Sequence, residues 1–316
     1  MAENNEQQPL PPTVISTSKD SPWYFNDIDT LTPESRDLLE NYSGISPEKV
    51  EAHVREVRDK AWEIFPYPCI GAFRFLDLAM YKEPYYPEVL SRVKNGDKLL
   101  DLGCCFGQEL RKLVSNHKTQ HDPASSHLIS PAQAHDGAPP SSLYGSDLRP
   151  AFLTLGHALF LDEAKLPTTP HFIAADILAD PFSASPLHRQ LGGTVSVVHA
   201  SAFFHLFSRE DQLRAAEAVV ALLKPEPGVA VVGAQIGTPT PGVAESWTKG
   251  KKSPRFSHNV ESWAALWDEV GTRTGTGWEV VEARLTKVEK AVSPELLKLV
   301  GEGGVHWLSF WVRRVE

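Results

Sequence analysis

The feature that most constrains the fold is the segment at residues 98–109, KLLDLGCCFGQE. Its three leucines form a short apolar run of the kind that builds a buried strand in a parallel sheet. Gly103 and Gly107 then permit a sharp turn, and apolar residues follow at helical spacing from Gln108 onward. Because a strand, a glycine turn and a helix N-terminus present free backbone N–H groups, the segment predicts a nucleotide-type ligand site in an α/β protein.

The loop lacks the middle glycine of the dinucleotide pattern Gly-x-Gly-x-x-Gly, since Cys105 stands in its place. That glycine lets a pyrophosphate approach the backbone, so its absence argues against NAD or FAD. Asp101 precedes the loop, and Asp-x-Gly-x-x-x-Gly after an apolar strand resembles the S-adenosylmethionine loop of class I methyltransferases. At this point a structural strand-to-helix turn that binds no ligand remains an alternative.

Composition narrows the class of protein. With 316 residues, the chain is long enough for one large α/β domain with an appendage. Its net charge of −9 gives no basic footprint for nucleic acid or for an anionic membrane. No run reaches the roughly 18 consecutive apolar residues of a membrane span, and the polar N-terminus does not resemble a secretory signal. The three cysteines do not make a disulfide framework. We therefore expect a cytoplasmic protein that binds neither nucleic acid nor a membrane.

The chain divides into three predicted regions. Residues 1–21, rich in polar residues and proline, predict a disordered tail. Residues 22–96 predict helices and an aromatic connection, which form either a layer on the sheet or a lid over an apolar substrate; the two are compatible. Residues 97–316 predict the sheet-containing domain. Within it, the histidine-rich stretch 116–142 predicts a surface insertion rather than a zinc site, because its histidines are irregularly spaced.

Downstream of the glycine turn, apolar strands alternate with helices, a pattern that predicts a doubly wound and mostly parallel sheet. Three successive predicted strands end in Asp101, Asp147 and Asp176. Their carboxylates would then lie along the same edge of the sheet, where ligands bind in such folds. Segments at 278–288 and 306–312 predict two further strands, which would form an antiparallel hairpin that closes the sheet.

Several runs resemble the fungal meroterpenoid-pathway methyltransferases, from about residue 22 to the C-terminus. The most specific runs are GCCFGQ at 103–108 and GSDLRP at 145–150. They are supported by WYFND at 23–27, YPCIG at 67–71 and HNVESW at 258–263. The resemblance implies a Rossmann-like class I methyltransferase with a mostly parallel seven-stranded sheet and an N-terminal helical lid. It also implies a homodimer that transfers a methyl group from S-adenosylmethionine to the carboxylate of a farnesylated aromatic polyketide. The stretch 116–142 departs from the family pattern.

The resemblance, carried over by position, assigns the cofactor site to six residues and implies no metal. Asp147 and Leu148 would hold the ribose, Asp176 and Ile177 would bracket the adenine, and Gly103, next to Asp101, would face the methionine moiety.

The sequence leaves open which chemical group accepts the methyl and which residues bind that acceptor. A carboxylate is ionised at neutral pH and needs no general base, whereas a phenol would need one, for which His205 is the candidate. Arg74 could pair with a substrate carboxylate, although a structural role on the lid is the simpler interpretation. The predicted acceptor pocket lies between the N-terminal region and residues 236–257, a predicted mobile loop rich in Gly, Pro, Thr and Lys. Three functions remain: a carboxyl O-methyltransferase, a phenolic O- or C-methyltransferase that uses His205, and a cofactor-binding regulatory protein without turnover.

Overall fold

A computed structural model of the protein describes residues 17–21, 23–114, 137–248, 251–288 and 305–316. Most of the predicted tail, and the predicted insertion at 116–142 apart from its last residues, lie outside these ranges. Among the described residues, no helix is both long enough and apolar enough to cross a bilayer.

One sheet of seven strands forms the centre of the described structure. In chain order the described strands are β1 Leu99–Leu102, β2 Leu143–Asp147, β3 Phe172–Ala174, β4 Val197–His199, β5 Ala230–Gly237, β6 Gly242–Thr248, β7 Lys251–Ser257, β8 Trp278–Lys287 and β9 His306–Arg314. The strands of the sheet run in the order β3-β2-β1-β4-β5-β9-β8; the first five are parallel, and β9 and β8 are antiparallel. This arrangement confirms the predicted class I methyltransferase sheet and its closing hairpin.

Helices cover both faces of the sheet, as the alternation of strands and helices predicts. The described helices are α1 Pro33–Asp37, α2 Val50–Ile64, α3 Pro68–Gly71, α4 Tyr86–Lys94, α5 Gln108–Val114, α6 Pro150–Phe160, α7 Thr168–His171, α8 Pro186–Leu191, α9 Arg209–Leu222 and α10 Val260–Thr274. The cores on the two faces are separate clusters, one with α8, α9 and α10 and the other with α4 and α5.

The alternation of side chains along β1 explains how one strand serves two cores. Leu100 packs in the cluster with Leu213 of α9 and Trp263 of α10. Leu99, one residue earlier, packs on the opposite face with Val89 of α4 and Leu113 of α5. All six side chains are fully buried or nearly so, and this two-sided burial requires the continuous apolar run that the sequence shows.

The N-terminal helices form a third core that continues onto the sheet domain. One face of α2 is buried, as its apolar spacing predicts, and it packs in a cluster with Phe106 of the glycine turn and Phe152 of α6. The ring of Phe106 contacts Phe152 edge-on, with the centroids 5.8 Å apart. Near the start of the described chain, Trp62 donates from Nε1 to the carbonyl of Thr17. The N-terminal region is thus packed against the residues that flank the glycine turn.

The prediction of a mobile loop at 236–257 is wrong, because β5 continues to residue 237 and β6 and β7 pair as an antiparallel hairpin. The proline at position 254 favoured a loop in the sequence, since a central strand does not accommodate proline. In a two-stranded hairpin each strand has one unpaired edge, where a missing N–H does not interrupt the ladder. The hairpin is fixed to the domain at Phe256, whose N–H donates to Phe207 O (2.9 Å) and whose carbonyl accepts from Gln212 Nε2 (2.8 Å).

Candidate active site

The glycine loop, residues 103–107, joins β1 to α5 at the carboxyl edge of the parallel strands. Gly103 and Cys104 both donate their N–H groups to the carbonyl of Ser146 in β2, at 2.8 and 3.0 Å. Gly103 has φ +73°, and a Cβ at this position would lie 2.6 Å from the ring of Phe203. Because the left-handed backbone and the close ring both exclude a side chain, glycine is required here.

Asp147 is the last residue of β2, and its carboxylate faces the glycine loop. One oxygen accepts the N–H of Cys105 at 3.0 Å and the other accepts the N–H of Arg149 at 2.9 Å. Burial raises the pKa of Asp147 above its usual value, and the two backbone hydrogen bonds oppose that effect. Each oxygen of an ionised carboxylate has about two acceptor sites, so each retains capacity for another donor.

Leu148 and Asp176 line one open cavity of about 450 Å³ at the same edge of the sheet. Leu148 is 57% exposed, which is unusual for a leucine in a packed domain. Asp176 lies two residues beyond the end of β3, is exposed, and accepts the N–H of Leu178 at 2.9 Å. The structure therefore brings these two predicted residues together, whereas the side chain of Ile177 is buried in the core.

Asp101 does not end a strand, as the sequence suggested, but lies inside β1, one residue before its end. Its side chain is buried and accepts a hydrogen bond from Nδ1 of His199, at the end of β4, across 2.8 Å. Glu109 is buried in the same region and accepts the N–H groups of Ala79 and Met80 at 2.7 and 3.1 Å. The strand ends one residue later than expected because Leu102 extends the buried face of β1.

His199 and Glu109 were not identified from the sequence. Burial opposes the charged form of His199, but the carboxylates of Asp101 and Glu109 outweigh it and raise the pKa of the imidazole. Burial also raises the pKa of Glu109, because only two backbone N–H groups and the nearby imidazole stabilise its charge. The sequence feature that could have identified His199 is its place as a polar residue directly after the two valines of β4.

His205 lies in the short helical turn Phe204–Leu206 that follows β4, and its side chain is buried. Its backbone N–H donates to Oε1 of Gln235, at 3.2 Å. Burial lowers the pKa of His205 to about 3, with a further contribution from the positive charge of Arg255. The imidazole is therefore neutral at physiological pH.

Arg74 lies on the surface of the N-terminal region. Its Nε forms an ion pair with Oδ2 of Asp77 at 2.8 Å, and about half of the side chain is exposed. Its guanidinium also lies 6.0 Å from the ring centroid of Trp307. The structure thus gives Arg74 a partner within the chain, and its predicted contact with substrate remains a prediction.

Comparison with known proteins assigns the family. Residues 23–76 match the family model of the meroterpenoid methyltransferase N-terminal domain. The O-methyltransferase phiE of a fungal species is 40% identical over 273 residues, which cover 85% of this chain and 82% of that relative. Methyltransferase trt5 of Aspergillus terreus is 39% identical over 278 residues, 88% of each chain. This chain belongs to the fungal meroterpenoid methyltransferases.

Two further proteins are similar to this meroterpenoid methyltransferase. The asnovolin E/chermesin D methyltransferase nvfJ of Aspergillus novofumigatus is 38% identical over 268 residues, 82% of this chain and 85% of the relative. Among solved structures, the 1,6-didemethyltoxoflavin-N1-methyltransferase of Burkholderia thailandensis matches with a TM-score of 0.46 and 12% identity, over 86% of this chain and 92% of the other.

Membership of this methyltransferase family, together with the class I order of the sheet, makes S-adenosylmethionine the methyl donor. The carboxyl edge of the sheet offers what such a ligand requires. It combines a glycine loop, a fixed carboxylate with unused acceptor sites at Asp147, and an open cavity beside an exposed leucine.

Proposed function

We propose that this meroterpenoid methyltransferase converts the carboxylate of a farnesylated aromatic polyketide into its methyl ester. The state of His205 carries the proposal. The imidazole is buried and neutral beside Arg255, and no carboxylate within the described ranges raises its pKa. Such a weak base does not suit the deprotonation of a phenol, because a general base works best with a pKa near the operating pH. A carboxylic acid is already ionised at neutral pH and requires no base.

The cofactor is assigned to the carboxyl edge of the sheet. Asp147 would accept hydrogen bonds from the ribose hydroxyls with the lone pairs that its two backbone donors leave unused. Leu148 would lie against the ribose beside Asp147, and Asp176 would face the adenine in the cavity that Leu148 and Asp176 share. Gly103 would let the methionine moiety approach the backbone of the glycine loop, because it carries no side chain.

Two of the predicted cofactor residues would act less directly. The carboxylate of Asp101 is buried and hydrogen-bonded to His199, so it would fix the end of β1, which leads into the glycine loop. The side chain of Ile177 is part of the core, so its contact with adenine would come from its backbone.

S-adenosylmethionine, when bound, supplies a methyl carbon that the sulfonium has already activated. The cofactor would supply this methyl group to an oxygen of the acceptor and leave as S-adenosylhomocysteine, which keeps the electron pair of the S–CH₃ bond on sulfur. No proton moves, because the carboxylate enters ionised and leaves as an ester. The protein therefore contributes alignment of the two reactants and exclusion of water. We assign the exclusion of water to residues 22–96 as a lid, which is supported by their shared core with Phe106 and Phe152.

The test uses farnesylated dimethylorsellinic acid and the corresponding phenol without the carboxyl group. The protein is incubated with S-adenosylmethionine and each acceptor, and the products are identified by mass spectrometry and NMR. We expect the methyl ester from the acid and no methylated product from the phenol. A methylated phenol or ring carbon would overturn the proposal and favour the phenolic alternative. Binding of S-adenosylhomocysteine without turnover of either acceptor would favour a regulatory protein.

We also propose that the enzyme is a homodimer, as the family resemblance implies, and that it acts in the cytoplasm. Light scattering after size-exclusion chromatography tests the first point, with a mass of about twice the 34.9 kDa of the chain as the expected result. Imaging of a fluorescent fusion in a fungal host tests the second.

A further inference from the structure

Three polar groups near the acceptor side have no hydrogen-bond partner in the described part of the chain. They are Nδ1 of His205, Nε2 of Gln235 and Nε of Arg255, and all three atoms are buried. The side chain of Gln235 is fully buried, and that of His205 is 8% exposed. An unsatisfied buried polar group costs about 1–3 kcal/mol, so a group of three at one place indicates a ligand that pairs with them.

The three groups lie together. The backbone N–H of His205 donates to the amide oxygen of Gln235, so the unpaired Nε2 of that amide lies next to His205. Phe256, the neighbour of Arg255 in β7, donates its N–H to the carbonyl of Phe207, two residues after His205, so the hairpin brings Arg255 to the same turn. The charge of Arg255 also lowers the pKa of His205. Two of the groups are obligate donors, and one of these carries a positive charge. The arrangement suits an anionic acceptor of hydrogen bonds.

Arg255 is held in place by its neighbour in β7. Phe256 donates its N–H to Phe207 and accepts from Gln212, so both of its backbone groups are fixed. Gln212 is fully buried and its Oε1 is hydrogen-bonded to Nε2 of His258, at 3.0 Å. The start of the Arg255 side chain is therefore rigidly positioned, which lowers the entropy that is lost when a ligand binds.

Arg255 has no ion-pair partner among the residues whose side chains the structure describes, unlike Arg74, which is paired with Asp77. It interacts electrostatically with Tyr67 of the N-terminal region, whose ring packs on Phe65 with the centroids 4.2 Å apart. Arg255 therefore lies where the N-terminal region approaches the β6–β7 hairpin. This is the place at which the sequence predicted the acceptor pocket.

We propose that Arg255 binds the carboxylate of the methyl acceptor, with Gln235 as a second donor, and so selects acids over neutral acceptors. The inference rests on the proposed function, since it requires an acidic acceptor. A guanidinium binds a carboxylate through parallel N–H···O bonds, and the carboxylate offers about four acceptor sites. One oxygen lone pair thus remains for the new O–CH₃ bond. Methylation removes the negative charge, so Arg255 favours the substrate over the ester product.

The test is a binding cycle that needs no turnover. Calorimetry in the presence of S-adenosylhomocysteine measures the Kd of farnesylated dimethylorsellinic acid and of its primary amide, a neutral analogue of similar shape. We expect the unmodified protein to prefer the acid. In Arg255→Gln the Kd of the acid rises about 10- to 100-fold, as for the loss of a charged hydrogen bond, and that of the amide changes little. Arg313→Gln, which removes an exposed cation paired with Glu279, serves as the control.

Several results would overturn the inference. One is an unchanged acid preference in Arg255→Gln; another is loss of that preference in Arg74→Gln instead. If Arg255→Gln does not bind S-adenosylhomocysteine, Arg255→Lys replaces it. Lysine keeps the charge but lacks the planar fork, so we expect a severalfold rise in the Kd of the acid, and an unchanged Kd would contradict the proposal. If the Kd values contradict the role of Arg255 but the protein still forms the methyl ester, the proposed function stands. Methylation of the phenol alone would reject the proposed function itself.

Discussion

His199 donates a hydrogen bond from Nδ1 to Oδ1 of Asp101 across 2.8 Å, and both side chains are buried where β4 pairs with β1. The two residues are direct neighbours in the parallel register of these strands. The pair joins the strand that leads into the glycine loop to the strand that leads to His205. It thus links the backbone of the cofactor side to that of the acceptor side.

Replacement of His199 by alanine should destabilise the protein in a pH-dependent manner. Removal of one partner from a buried pair costs about 3–5 kcal/mol, because the other group stays buried without compensation. The folded state raises the pKa of His199, so its charged interaction stabilises fully below the unfolded pKa of about 6.5 and is lost as pH rises through the folded value. Urea unfolding of the unmodified protein and of His199→Ala should show a larger difference at pH 5.5 than at pH 9. An equal difference at both values would contradict a charged pair.

Replacement of Asp147 should weaken cofactor binding. We expect Asp147→Ala to raise the Kd of S-adenosylhomocysteine about 10- to 100-fold, because charge-assisted hydrogen bonds to the ribose are lost. Burial raises the pKa of Asp147, so affinity should begin to fall at a higher pH than an ordinary carboxylate would give. Calorimetry from pH 8 to pH 5 measures both effects. Asp268→Asn on the exposed side of α10 is the control, and an unchanged Kd in Asp147→Ala would exclude the ribose contact.

The sequence predicts well the features that depend on local patterns. The apolar runs of β1, β3, β4 and β5, and the apolar face of α2, follow from burial on one or two sides of an element. The closing β8–β9 hairpin was predicted for the same reason. Asp147 and Asp176 were expected near each other because the carboxyl ends of parallel strands meet at one edge, and the structure places Asp147 at the end of β2 and Asp176 just beyond the end of β3.

The contacts that depend on pairing between distant segments could not be predicted. His199 meets Asp101 only through the register of two strands that are far apart in the chain. Arg255 lies in a hairpin whose proline and polar residues favoured a loop, and its position depends on the hydrogen bonds of Phe256 to other elements. Local sequence therefore indicated where the cofactor side lies but not which cation faces the acceptor.

A methyl group added at Gly103 should abolish cofactor binding. Gly103→Ala combines a left-handed backbone, which costs about 1–2 kcal/mol for other residues, with a contact of 2.6 Å to the ring of Phe203. Gly44 has the same φ of +73° but nothing within 4 Å of an added Cβ, so Gly44→Ala isolates the backbone term. We expect a loss of about 1–2 kcal/mol for Gly44→Ala in urea unfolding, and a larger loss for Gly103→Ala together with loss of S-adenosylhomocysteine binding. Equal stability of the two variants would show that Phe203 moves aside without penalty.

Removal of the His205 imidazole should affect turnover only modestly. Burial lowers its pKa to about 3, so it is neutral across the working range and accepts a proton poorly. We expect kcat of His205→Ala with the carboxylic acid to fall less than tenfold, and kcat/KM of the unmodified protein to show no step that belongs to this histidine between pH 6 and 9. The Kd of S-adenosylhomocysteine, measured beside the kinetics, separates chemistry from folding. General-base catalysis contributes about 10²- to 10⁴-fold, so a loss of two decades in kcat with intact cofactor binding would make His205 a base and the acceptor a phenol.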